Sequence, residues 1–276
     1  MGLATFKGGV HPYEGKELSE SKPIQVLMPK GEMVFPLSQH IGAPAKPLVK
    51  KGDQVLAGQI IAEAGGFISA NVLSSVSGTV KAIEPRRVAN GAMVNSIIVE
   101  NDGEYKTVEG VGEDRDYTKL SKEEIRGIVK DAGIVGLGGA GFPTHVKLTP
   151  KDDSKIDYVI VNGAECEPYL TSDYRLMMEE PEKVVGGLKV MLQLFENAQG
   201  VIGIENNKPE AIKKMKELVK DEPKISVCEL LTKYPQGGER SLIYAVTGRK
   251  VNSSMLPADV GCIVDNVDTV LSIYNA

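Results

Sequence analysis

The sequence predicts a chain of two parts, an all-β part first and an α/β part with a parallel sheet second. Three observations carry that expectation. Short apolar runs rich in Val and Ile, broken by tight-turn signals, fill the first hundred residues, the pattern of a small β-sandwich or barrel. From Ser121 the apolar period becomes helical. Thereafter strand-like and helix-like segments alternate at the spacing of parallel strands with covering helices.

In the β part we expect strands at residues 24–28, 54–57, 60–64, 79–83 and 96–100. Turns fall at Lys51-Gly52-Asp53, Gly65-Gly66, Ser77-Gly78 and Asn90-Gly91. A charged stretch over 101–117 follows. We place the domain limits at 1–105, a linker at 106–120, and 121–276. Ser121 and Glu124 make a capping box ahead of a helix with Ile125, Ile128, Val129 and Ala132 on one face, and Gly133 stops it. Beyond it, "YVIVN" (158–162), "GVIGIE" (200–205) and "KISVCEL" (224–230) read as strands. Residues 182–195, 209–219 and 239–246 read as helices, the first with Val184, Val185, Leu188, Met191, Leu192 and Phe195 inward. The Lys-rich stretch 211–220 reads as a solvated helix face. Ligands of such sheets sit outside the carboxyl ends of the strands. Here those ends are "NGAECEP", "ENNKPE" and "TKYPQGGE", each with a carboxylate and two with Asn.

The charge balance, 32 basic against 37 acidic residues, gives −5 and argues against nucleic acid as a partner. No apolar run reaches the roughly 18 residues of a membrane span. The N-terminus lacks the order of a signal peptide, and Phe6 stands where a myristoylation signal needs Ser or Thr. Cys166, Cys228 and Cys262 are widely spaced without a C-x-x-C. Neither a zinc nor an iron–sulfur site is expected in this stretch, and a reducing cytoplasmic setting fits. His11, His40 and His145 lack metal-ligand spacing, so no metal residues are assigned; His145 lies in the glycine-rich loop described next, where it could contact a cofactor.

"GIVGLGGAGFPTHVKL" (133–148) contains G-x-G-x-x-G at Gly136, Gly138 and Gly141. A dinucleotide fingerprint needs a strand before the glycines and a helix starting among them; here a helix precedes and Phe142-Pro143-Thr144 follows. No Lys-Ser or Lys-Thr makes it a phosphate loop. Two readings stand: a hinge, or a side-chain-free cradle whose backbone N–H groups reach a flat or anionic ligand. Phe142 would then offer an aromatic face and Lys147 a cation.

The loop, together with "VNGAECEPYLTSDYRLM", "GIENNKPEAI", "YPQGGERSLIYAVTG" and "VDNVDTVLSIY" in that order, resembles the flavin-binding core of the NADH-oxidising subunit of respiratory complex I. It is more similar to the RnfC proteins of the Rnf complexes, membrane-bound ferredoxin:NAD oxidoreductases. The resemblance covers nearly the whole chain. It implies a Rossmann-like parallel sheet binding FMN and NAD(H), with hydride passing between the two cofactors and no catalytic side chain. By motif, Gly136, Gly138, Gly139, Gly141 and Lys147 would line the flavin site, Asn162 would hydrogen-bond the ring, and Asn266 would lie by its phosphate or ribityl chain. Phe142 would pack on the nicotinamide nucleotide. Glu165, Glu167, Glu205 and Asn206 would line the pocket, with Glu167 at the NADH sugars or nicotinamide. Ala164 stands where complex I has Asp, so one flavin contact is lost or replaced.

"VKKGDQVLAGQIIAEAGGFISANVLSSVSGTVKAIE" resembles the lipoyl and biotinyl carrier fold, a barrel-sandwich hybrid. Its hairpin reads Gly65-Gly66-Phe67-Ile68-Ser69, with no Lys to modify, so carrier function is not expected. The RnfC proteins have such a domain at the N-terminus, and we take it as structural, beside the flavin site or a partner subunit. The family continues past this sequence into [4Fe–4S]-binding segments, so the chain is expected to be an N-terminal portion with little activity toward natural acceptors alone. Its implied partners are NADH or NAD, the other proteins of the Rnf complex and, indirectly, ferredoxin, at the cytoplasmic face of the membrane. Two other readings have their own discriminators. An NAD-dependent dehydrogenase without flavin would bind the nucleotide alone, and a non-catalytic scaffold that has lost its cofactor would bind neither.

Overall fold

The computed structural model describes residues 2–276. The chain divides into two compact units, residues 26–147 and residues 2–25 with 148–276.

The first unit holds β1 (Glu32–Pro36), β2 (Lys46–Pro47), β3 (Gln54–Val55), β4 (Ile60–Glu63), β5 (Val72–Leu73), β6 (Gly78–Arg87) and β7 (Met93–Asn101). They form two antiparallel sheets, ordered β1-β7-β6-β3 and β2-β4-β5. The long β6–β7 hairpin turns through residues 88–92 and pairs Arg87 with Met93 and Gly78 with Asn101. Alternate residues point inward, so Phe35, Val55, Ile61, Val72, Val80, Ile97 and Val99 close one core. This is the expected barrel-sandwich architecture, with β6 and β7 longer than the sequence suggests. Residues 24–28 are a correction: they form no strand. Val26 and Leu27 are 87% and 90% exposed. Their β propensity finds no partner strand, and Pro29 follows at once, lacking the N–H that would extend a ladder.

The same unit includes α1 (Lys122–Asp131), capped as expected by the reciprocal Ser121 and Glu124 hydrogen bonds, and the short α2 (Thr144–Lys147). Asn71 explains why. Its amide donates to the carbonyls of Lys130 and Asp131 at the end of α1, at 3.4 and 3.5 Å. A Cβ at Gly133, where φ is +64°, would meet the Asn71 carbonyl at 2.4 Å. The compact division thus departs from limits at 105 and 121, because these contacts tie α1 to the β sheets.

The second unit is a parallel sheet of β8 (Tyr158–Gly163), β9 (Gln199–Glu205), β10 (Ile225–Leu230) and β11 (Cys262–Asn266), ordered β10-β9-β8-β11. Its helices are α3 (Ser172–Glu179), α4 (Pro181–Leu194), α5 (Pro209–Leu218), α6 (Glu239–Thr247) and α7 (Val267–Asn275). Ile160, Ile202, Leu188, Met191, Leu194 and Phe195 are wholly buried. A Cβ at Gly187 would lie 2.0 Å from the Val270 carbonyl, so glycine lets α4 and α7 cross at backbone contact. On α5, Ala211, Ile212 and Met215 face inward while Lys213, Lys214 and Lys216 are exposed, as is Lys220 just beyond its end. The strand order reverses between β8 and β11, which makes that gap the topological switch point.

Candidate functional site

The glycine loop is a pinched crown. Val135 bridges Pro143, the Gly136 amide donates to the Phe142 carbonyl at 2.9 Å, and Thr144 N–H donates to the Ile134 carbonyl at 2.9 Å. Gly141, at φ +64°, has its carbonyl accept from Ile41 N–H, and a Cβ there would sit 3.1 Å from the Gln39 carbonyl. Gly136, Phe142 and Gly141 therefore close and anchor the loop through their backbones. Leu137, Gly138, Gly139 and Ala140 are exposed at its top. A Cβ at Gly139 would touch nothing within 4 Å. Residues 137–140 fold as a turn, and among the described residues the amides of Gly138 to Gly141 make no close, well-aligned hydrogen bond to a protein acceptor. The half-buried Lys147 ends α2 at the foot of the crown. An exposed glycine-rich turn with no side chain above Gly139 fits a flat anionic cofactor such as FMN.

The carboxyl ends of the sheet are built differently. Asn162, at the end of β8, donates to the Gly237 carbonyl at 2.8 Å and accepts from Ala164 N–H at 3.3 Å. Asn266, after β11, caps α7 by accepting from Asp268 N–H and donates to Asp173 at 2.7 Å. Asn206, after β9, accepts from the amide and hydroxyl of Thr232 at 2.8 and 2.9 Å. Glu165, at φ +49°, turns inward and accepts from Asp173 N–H at the start of α3 at 2.7 Å. Glu205 accepts from Lys233 N–H. All five side chains are thus engaged within the protein. Glu167 alone of the three expected acids is exposed, where its carboxylate pushes the Tyr234 hydroxyl pKa up. The wholly buried Ala164 presents no polar group in place of an Asp; its carbonyl instead accepts from Lys208.

An N-terminal strap, unsuspected from the sequence, covers these ends. Ala4 bridges Leu230 and Val10 bridges Tyr234. Lys233 donates to the carbonyls of Phe6 and Gly8 and sits over the Phe6 ring. Asn207 donates to Glu14 at 2.6 Å. Between strap and strand ends, His11, Glu14, Lys16, Cys166, Glu205 and Lys233 enclose about 20 Å³, room for about one water. The Cys166 thiol accepts from Gly237 N–H at 3.2 Å, and burial pushes its pKa up, which suits a packed residue rather than a nucleophile.

Burial dominates the electrostatics. It pushes the Glu165 carboxyl up to about 7, with Asp173 adding to the rise. It pushes Glu205 to about 7 against the pull of Lys208, 3.6 Å away, and Asp173 to about 6. The Lys208 ammonium, 4% exposed, is pushed down by the same burial while it donates to Ala164 and Asn207. In the other unit, burial and then Lys130 lower the His145 pKa.

The structure thus groups Asn162, Glu165, Glu167, Glu205, Asn206 and Asn266 at the sheet's carboxyl edge. Gly136, Gly138, Gly139, Gly141, Phe142 and Lys147 are grouped in the other unit. Sequence reasoning missed Lys16, Lys208, Lys233 and Asp173. The one signal for them was electrostatic: buried strand-end carboxylates need buried cations, and the motifs supplied Lys208 and Lys233 within them.

Comparison with known proteins places both units. The Nuo51 FMN-binding domain family matches residues 129–275, and the RnfC barrel sandwich hybrid domain family matches 4–104. The C subunit of the proton-translocating ferredoxin:NAD(+) oxidoreductase complex of Clostridium ljungdahlii is 46% identical over 99% of this chain and 60% of its own length. The Na(+)-translocating counterpart of Acetobacterium woodii is 46% identical over 98% of this chain and 61% of its own. The C subunit of the ion-translocating oxidoreductase complex of Pseudomonas aeruginosa is 40% identical over 99% of this chain and 35% of its own. The chain therefore spans about 60% of the length of the first two. Among the described residues no helix is long and apolar enough to cross a membrane. With a match over more than half of its length, the chain belongs to the Nuo51 FMN-binding domain family, and it carries an RnfC-type barrel-sandwich hybrid domain ahead of that match.

Proposed function

We propose that this chain is the FMN- and NAD(H)-binding module of an ion-translocating ferredoxin:NAD oxidoreductase complex, exchanging a hydride between nicotinamide and flavin. The observation that carries the reading is the exposed crown at Leu137–Ala140, bare of side chain above Gly139, within a matched FMN-binding domain. FMN, when bound, would supply the redox chemistry: it takes a hydride from a reduced nicotinamide and releases electrons singly. The protein's task is to hold and orient. The crown amides of Gly138 to Gly141 offer donors to a flavin oxygen or phosphate, and Gly139 keeps the approach free of side chain. Glu167, the exposed acid of "ECEP", is the group available to a nucleotide's hydroxyls or amide. Glu165, Glu205, Asn162 and Asn266 set the shape of the strand ends on which that loop rests. Partner subunits and a one-electron acceptor follow from the relatives' complexes, and a peripheral place at the cytoplasmic face is part of the same proposal.

The test is a titration of the purified chain with FMN, then with NADH under anaerobic conditions. We expect quenching of flavin fluorescence with a Kd of about 1 μM or tighter, followed by bleaching of the yellow band. Nucleotide binding without flavin would favour the plain dehydrogenase, and binding of neither would favour the scaffold.

A further inference from the structure

We propose that Lys16 is a positioning residue for the nucleotide site, holding the loop that presents Glu167; the assignment rests on the flavin and NADH reading above. The loop from Ala164 to Thr171 joins β8 to α3 and carries two non-glycine residues in left-handed conformation, Glu165 at φ +49° and Tyr169 at φ +66°. Such residues persist where the surroundings over-determine them. Lys16 supplies much of that determination. Its ammonium has three N–H donors, and it meets three carbonyls of this one loop: Glu165 at 2.6 Å, Glu167 at 2.9 Å and Leu170 at 2.6 Å. The side chain is 10% exposed, and the Glu165 carboxylate lies 3.9 Å away as its charge partner.

The strap around Lys16 follows the loop rung by rung. Tyr169 N–H donates to the Glu14 carbonyl at 2.7 Å, and Ser19 and Thr171 share a hydroxyl hydrogen bond at 2.8 Å. Gly15, at φ +62°, leaves its Cβ position to the Tyr169 ring, which a methyl there would meet at 2.4 Å. Lys16 thus fixes the backbone of residues 165–170, and with it the direction in which the exposed Glu167 side chain leaves the loop. Its own ammonium is turned away from solvent, so it acts through the loop and not on a ligand.

The experiment compares wild type, Lys16→Met and Lys16→Ala, each loaded with FMN, in steady-state NADH oxidation with ferricyanide as acceptor. The expected result is a KM for NADH raised about tenfold with kcat changed less than about threefold, since the loop positions the nucleotide and the crown lies elsewhere in the sequence. In Lys16→Ala, ethylammonium at tens of millimolar should restore KM while sodium does not, a rescue that a general loss of packing would not show. Lys16→Arg is the alternative where Met or Ala gives no folded protein; it keeps the charge but cannot match three carbonyls from one nitrogen, and an intermediate KM is expected. A wild type that is reduced by NADH, with variants of unchanged KM or with kcat and KM lost together and no rescue, overturns the assignment of Lys16 alone. A wild type that takes up no FMN, or is not reduced, overturns the functional reading and this assignment with it.

Discussion

The crown at Leu137–Ala140 and the strand ends at Asn162, Glu165, Glu205 and Asn266 are both polar, yet they are opposite in kind. At the crown the N–H groups of Gly138 to Gly141 make no close, well-aligned hydrogen bond to the protein among the described residues, and no side chain stands above Gly139. At the strand ends the polar side chains are engaged with backbone, helix termini or one another. The difference separates groups free to meet a ligand from groups that hold the chain in shape. A buried polar group left without a partner costs on the order of 1–3 kcal/mol, so the engaged residues should be felt first in stability and the crown first in affinity.

The largest expected effect lies at the buried ion pair. Lys208→Met removes the cation 3.6 Å from Glu205 and two hydrogen bonds, to Ala164 and Asn207. We expect a loss of about 3 kcal/mol of unfolding free energy at pH 7, read by urea denaturation. A loss under about 1 kcal/mol would mean that the strand ends are looser than these contacts imply, and the contrast would fail on that side.

Gly139→Leu breaks it on the other side. Its side chain would enter open space, so stability should stay within about 0.5 kcal/mol of wild type. FMN affinity should fall about 100-fold in fluorescence titration, some 2.7 kcal/mol, because the branched chain stands where the ring would lie. Unchanged affinity would remove the crown from the cofactor site.

What the sequence made legible follows the same division. The crown is local: its glycines, its pinched base and the capped helix before it lie within about twenty residues, and composition alone marked them. The alternating second half was legible because buried parallel strands are continuous apolar runs, as in β8 and β9. The strap was not, since Lys16 and Glu165 stand 149 residues apart and "GGVHPYEGKEL" has no helical or strand period. β11 escaped because buried Asp265 interrupts its short apolar run. Residues 24–28 were misread for the converse reason: the residue types suit a strand, but nothing pairs with them.

The buried carboxyls give the contrast a pH signature. Glu165 and Glu205 are pushed by burial from 4.5 to about 7, and Asp173 from 3.8 to about 6. The folded chain therefore holds more protons than the unfolded one across this window, and stability falls as pH rises. The contribution is whole below the unfolded values and gone above about pH 7. We expect the thermal midpoint to drop by about 4 °C between pH 5 and 7.5 at constant ionic strength. Glu165→Gln with Glu205→Gln should flatten that slope. A midpoint rising over this range would contradict the assignment.

Asn162→Ala gives the smallest effect and the sharpest reading, because the family resemblance places this side chain on the flavin while the geometry engages it with the protein. Its amide holds the Gly237 carbonyl and its oxygen accepts from Ala164, so truncation frees the loop at residues 235–238 from the end of β8. The side chain is only half-buried and water can replace part of what is lost. A cost of about 1 kcal/mol is expected by urea denaturation, with FMN affinity within about threefold of wild type. An affinity loss above tenfold with stability intact would show that Asn162 turns from Gly237 to the cofactor on binding.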